Sequence, residues 1–108
     1  MGRLLTFMAR TIRDGWSTDT RGIGVDEDTA ALVDPDGTAT IVGRHDVSFV
    51  RMRAADVTTC EPGQPLTTRF VGVHVVHRGS TFDIATWSGA GPPTQVRAQD
   101  GTLIWAAP

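Results

Sequence analysis

Apolar positions recur along the chain with two different periods. Between residues 3 and 14, Leu4, Leu5, Met8 and Ile12 fall at i, i+1, i+4 and i+8, the spacing of one face of an amphipathic helix. Arg10 and Arg13 lie near its C-terminal end, where cations suit the helix dipole, and Gly15 offers a left-handed stop. Residues 15–21 are polar and read as a loop. From there the period shortens. Gly22-Ile23-Gly24-Val25 reads as a short buried strand leading into Asp26-Glu27-Asp28, an acid-bearing strand over 22–27. Residues 29–33 and 38–42 flank Asp34-Pro35-Asp36-Gly37, so 29–42 is expected to be a hairpin. The trailing strands span 46–105. Residues 46–52 form one, 70–77 a second that is apolar on both faces, and 81–86 a third. Residues 94–97 and 102–105 pair across Asp100-Gly101. Residues 53–68 and 88–93, rich in Pro and Gly, read as irregular.

The pattern therefore predicts a strand-rich α+β chain with one N-terminal helix and about seven short strands. No capping residue precedes the helix, and one helix covers little of a sheet that is apolar on both sides. Both features predict that residues 1–108 form a single incomplete domain, with strand faces and edges left open for self-association or for a complementing chain.

Composition narrows the chemistry. The 108 residues carry a net charge of −2, which argues against an electrostatically driven nucleic-acid binder. No apolar run reaches the roughly 20 residues needed to span a bilayer, and no signal-peptide pattern opens the chain. The expectation is a soluble, cytoplasmic chain without membrane or nucleic-acid partners. One cysteine excludes an intramolecular disulfide and a cysteine-rich zinc site. All ten basic residues are Arg, which removes Schiff-base and P-loop lysine chemistry.

Few side chains remain for catalysis. His74 and His77 are three apart on one strand and project to opposite faces, so no shared metal is expected there, and His45 adjoins a turn. Ser88 sits in Trp87-Ser88-Gly89-Ala90-Gly91, but Pro92 and Pro93 forbid the helix that a nucleophile elbow requires. Glu61 beside Cys60 disfavours a thiolate. The Asp26-Glu27-Asp28 cluster can be a solvated strand end, a cation site or the holder of an imidazole.

Four segments carry a family resemblance. They are Gly2-Arg3-Leu4-Leu5, then Gly22-Ile23-Gly24-Val25-Asp26-Glu27-Asp28-Thr29-Ala30 with the later Val42-Gly43-Arg44, and finally Gly79-Ser80-Thr81-Phe82-Asp83-Ile84. In this order they resemble the C-terminal portion of the cyanophycinase family of serine peptidases, relatives of the aspartyl dipeptidases. The resemblance implies an α/β parent with a class I glutamine-amidotransferase-like core and no metal or organic cofactor. It implies hydrolysis of aspartyl or β-aspartyl peptide bonds through a Ser-His-Glu triad. Glu27 matches the glutamate that orients the histidine, and Arg3 the last arginine of an arginine-rich stretch, where it would help hold the site or bind a substrate carboxylate. The serine, in a Gly-Thr-Ser-Ala-Gly turn, and the histidine have no match here. The chain is thus expected to be a catalytically incomplete fragment, with peptide as the substrate of its full-length parent. The alternatives are half of a split enzyme completed by another chain, and a non-catalytic β-rich interaction module.

Overall fold

The computed structural model describes residues 1–106, so the last two residues of the expected 1–108 unit lie outside the described residues. Helix α1 runs Gly2–Arg13 and buries Leu5, Met8 and Ala9. Its end is set by Gly15, at φ +80°. The Gly15 N–H donates to the Ile12 carbonyl and the Trp16 N–H to the Thr11 carbonyl, each at 3.1 Å. These are the two bonds of a Schellman stop, and they satisfy carbonyls that the helix leaves free.

The strands that follow are β1 (Asp19–Val25), β2 (Thr29–Val33), β3 (Thr38–Gly43) and β4 (Asp46–Arg53). A 3₁₀ turn at Ala54–Asp56 leads to β5 (Val57–Thr59), β6 (Thr67–Thr68), β7 (Val71–His77) and β8 (Thr81–Asp83). The last three are β9 (Ser88–Gly89), β10 (Thr94–Gln99) and β11 (Thr102–Trp105). A five-stranded sheet has the order β1-β4-β7-β10-β11, and a four-stranded sheet the order β2-β3-β8-β9. Strands β5 and β6 form a small ribbon. Every pairing among the described residues is antiparallel, so the chain is a mixed α+β fold.

Strand alternation divides the interior in two. On one face of the large sheet, Val50, Met52, Val71, Val73 and Val96 meet Leu5, Met8 and Ala9 of α1. On the other face, Val47, Phe49 and Val76 meet Ala39, Ile41 and Phe82 of the small sheet. The result is a helix, a large sheet and a small sheet in three layers. The second face of β7 is therefore covered by the chain's own β3 and β8.

Gly22 and Gly24 explain how close the helix comes. A Cβ on Gly22 would stand 2.5 Å from the Met8 sulfur and 3.0 Å from a Leu4 methyl, and one on Gly24 would stand 3.2 Å from Leu4. The two glycines leave room for α1 to lie against β1.

The structure departs from the sequence pattern in places. Strand pairing starts at Asp19, inside the expected polar loop, because edge-strand side chains facing water need not be apolar. Residues 22–25 are not a buried strand: only Gly22 is buried, while Ile23 and Val25 are 41% and 50% exposed. β1 is an outer strand, and the small sheet packs beneath β4 and β7 instead. The irregular stretches contain β5, β6 and β9, which are two or three residues long and carry no periodicity to detect. The strand expected over 81–86 stops at Asp83, whose carboxylate accepts the Thr86 N–H at 3.1 Å.

Candidate functional site

The acidic cluster sits where the chain leaves the large sheet and enters the small one. β1 ends at Val25, and Asp26 continues beside β4: its N–H donates to the Asp46 carbonyl at 3.1 Å, and its carboxylate accepts the Asp46 N–H at 3.2 Å. Asp28 turns the corner at φ +54°, a left-handed conformation that Asp tolerates better than most residues. Its carbonyl accepts the Arg44 N–H at 2.9 Å, across from Gly43 at φ +109°. Only glycine fits there, since a Cβ would run into the Asp28 carbonyl and stand 2.9 Å from the Thr29 Cα. The Thr29 hydroxyl donates to the Glu27 carbonyl and accepts the His45 N–H, both at 3.0 Å.

Glu27 thus has a pinned backbone and an exposed side chain at a sheet corner. The acids around it are engaged. Asp26 holds the Asp46 amide, Asp46 holds His77 Nδ1 at 2.7 Å, and Asp28 faces the Arg44 guanidinium at 3.9 Å. Glu27 is the acid at this corner whose carboxylate has no partner among the described residues. The arrangement can receive a hydrogen-bond donor from outside without breaking a contact already made.

Arg3 lies at the same end of the α1–β1 pair. The neighbouring Leu4 packs over Gly22 and Gly24, three residues before Glu27. Arg3 is exposed and forms no ion pair among the described residues. The other end of β1 differs. There the Arg51 guanidinium donates to both Asp19 oxygens, at 3.0 and 2.6 Å. Those hydrogen bonds hold the Asp19 carboxyl below its ordinary range, and the same pair pushes Arg51 up.

The histidines do not converge. The His74 ring packs near Phe82, with centroids 5.3 Å apart, on the small-sheet side. His77 stands opposite Asp46 in the β4–β7 register. Among the described residues no group of three His, Cys, Asp or Glu side chains is placed to hold a metal. The Ser88 hydroxyl shares a 2.6 Å hydrogen bond with Thr86, on a strand paired to Asp83. No serine, histidine and acid stand together as a triad among the described residues. The Asp46–His77 pair is a contact the pattern did not flag. Its signal is register: once β4 and β7 pair, the first residue of one meets the last of the other.

No family model matches the chain. Two curated relatives do, the cyanophycinases of Synechococcus elongatus and of Thermosynechococcus vestitus. Each is 31% identical over 71 residues, which is 63% of this chain and 22% of the relative. This chain is distantly related to cyanophycinase. The match spans about a fifth of the length of those curated relatives. No helix among the described residues is long and apolar enough to cross a membrane.

Proposed function

We propose that this chain is the acid-bearing C-terminal portion of a cyanophycinase-like serine peptidase, with Glu27 as the residue that orients the catalytic histidine. The observation that carries this reading is the free carboxylate of Glu27 on a fixed corner, in a chain distantly related to cyanophycinase. An orienting acid needs a rigid backbone and a side chain free to meet an imidazole Nδ1–H. Asp26, Asp28 and Asp46 are less suited, since each already has a partner. In the parent, which would have a glutamine-amidotransferase-like core, a serine from a preceding region attacks the peptide carbonyl. Its proton passes to the histidine, and the acyl-enzyme is then hydrolysed by water. Arg3, at the same end as Glu27, would help hold the site or pair with a substrate carboxylate. Aspartyl or β-aspartyl peptides are the substrate class, and no cofactor enters the reaction.

A second reading is that the nucleophile and base come from a separate chain. The open edge of β1, with Ile23 and Val25 exposed, favours it: a partner strand can pair there and cover both side chains.

The purified chain should not hydrolyse a β-aspartyl dipeptide, and a fluorophosphonate should not label it. Hydrolysis that disappears in Ser88→Ala would overturn the fragment reading. Activity gained only on adding a second chain that carries serine and histidine would select the split enzyme.

A further inference from the structure

A cavity of about 360 Å³ lies on the side of α1 away from Glu27's corner, and the peptidase reading makes no use of it. The volume falls within the roughly 300–1,000 Å³ typical of small-molecule sites. One wall is a polar stripe of the helix, Thr6, Arg10 and Arg13. The stripe is separate from the face that α1 buries on the sheet. The opposite wall is the loop around Glu61 and Gln64, and the floor is formed by Leu66, Ala98 and Leu103.

The walls are held by hydrogen bonds. The Gln64 N–H closes a turn onto the Glu61 carbonyl at 3.0 Å. The Gly101 N–H donates to the Leu66 carbonyl at 2.9 Å, which ties the loop to the β10–β11 hairpin. The Thr67 and Thr68 hydroxyls accept the Asp100 and Ala98 N–H groups, both at 3.1 Å. The hairpin turn is fixed as well: Asp100 and Gly101 adopt φ +49° and +81°, the left-handed pair that a two-residue loop requires. A site held in this way does not have to be ordered by its ligand.

The charge on the walls is unbalanced. Arg13 reaches Glu61 at 3.2 Å, and those two charges cancel. Arg10 has no carboxylate partner among the described residues. The cavity therefore offers one uncompensated guanidinium at its rim, above an apolar floor. We infer that it binds a small amphipathic carboxylate, with the carboxylate on Arg10 and an apolar body on Leu66, Ala98 and Leu103. Guanidinium and carboxylate form charge-assisted, often bidentate pairs, and the floor gives an apolar group a place out of water. Gln64 can supply a further hydrogen bond. Cys60 lines the same space and reports on occupancy.

The test uses the whole chain and 3-phenylpropionate as the probe. Saturable amide shifts should be confined to the outer face of α1, residues 60–66 and residues 98–103. Bound probe should slow alkylation of Cys60 by iodoacetamide. The uncharged 3-phenylpropanamide should bind more weakly, and Arg10→Gln should weaken binding of the acid by about tenfold, the lower range for a hydrogen bond to a charged group. Arg10 is exposed, so the variant should melt with the unsubstituted chain. Equal binding of acid and amide, unchanged affinity in Arg10→Gln, or binding that leaves Cys60 unprotected would each overturn the proposal. Absence of saturable binding in the millimolar range would also overturn it.

Discussion

The two faces of the large sheet are covered in different ways. On the helix side, small and aliphatic groups fit closely, and glycines at 22 and 24 let α1 settle on β1. On the small-sheet side, three aromatic rings fill the space. Phe49 and Phe82 stack with centroids 4.0 Å apart, and Trp87 meets them edge-on at 5.7 and 5.1 Å. The helix interface includes β1, whereas the aromatic interface meets β1 through Arg21, whose guanidinium lies 5.6 Å from the Trp87 ring centroid, and leaves Ile23 and Val25 exposed. Glu27 stands where the chain passes from the first interface to the second. One strand can thus be fixed on one face and open on the other, and its open end is where the unpartnered acid lies.

The aromatic interface should be the most sensitive to loss of volume. Phe82→Ala removes the ring that stacks on Phe49 and meets Trp87 edge-on, and should cost about 3–5 kcal/mol, read from the denaturation midpoint. A cost below that of the glycine variants would contradict the ranking of the two interfaces. Gly22→Val should overpack the helix side and cost about 1–3 kcal/mol. The nearest atoms are flexible ends of Met8 and Leu4, so its effect should be the smaller of the two. Gly43→Ala should cost about 1–3 kcal/mol, since it forces a strained backbone at the Asp28 corner. It should also shift the amide resonances of residues 26–29, and unchanged resonances there would mean the corner is not braced by β3.

The amphipathic period of α1, its Gly15 stop and both hairpin turns are legible because each is a local rule obeyed by nearby residues. Asp34-Pro35-Asp36-Gly37 and Asp100-Gly101 carry their turn chemistry in the residues themselves. What escapes the pattern is non-local. Nothing in residues 19–21 announces strand pairing until β4 lies beside them, and nothing in Ile23 or Val25 shows that they face solvent. At the site, the acidic run is visible in sequence. Which of its members is free is not, because the answer depends on Arg44, Asp46 and His77, which come from β4, β7 and the turn between the sheets.

Smaller effects sharpen the same comparison. Ile23→Thr with Val25→Thr should leave stability within about 0.5 kcal/mol, as is usual for exposed positions. The pair of changes should reduce any concentration-dependent association seen by sedimentation. Association that persists unaltered would place the contact surface away from β1. The Asp19–Arg51 pair should give the smallest effect, because both side chains are about one-third exposed. Folded Asp19 titrates below its ordinary value of 3.8 because Arg51 hydrogen-bonds its charged form. The pair therefore stabilises the fold above that value, and the stabilisation is lost as pH falls through the lower, folded value. Asp19→Asn should lower the melting temperature slightly at pH 7 and narrow its difference from the value at about pH 3, within the range over which carboxylates titrate.

The most direct test of Glu27 is turnover of a β-aspartyl dipeptide by this segment joined in frame to the serine- and histidine-bearing region of a cyanophycinase. The account predicts that the fusion with Glu27 is active. It predicts that Glu27→Gln keeps the fold and KM but loses kcat by orders of magnitude, on the scale of the roughly 10⁴-fold loss when a triad acid is neutralised in a trypsin-type enzyme. A Glu27→Gln fusion with unchanged kcat, or a folded fusion that never turns over with Glu27 in place, would contradict it.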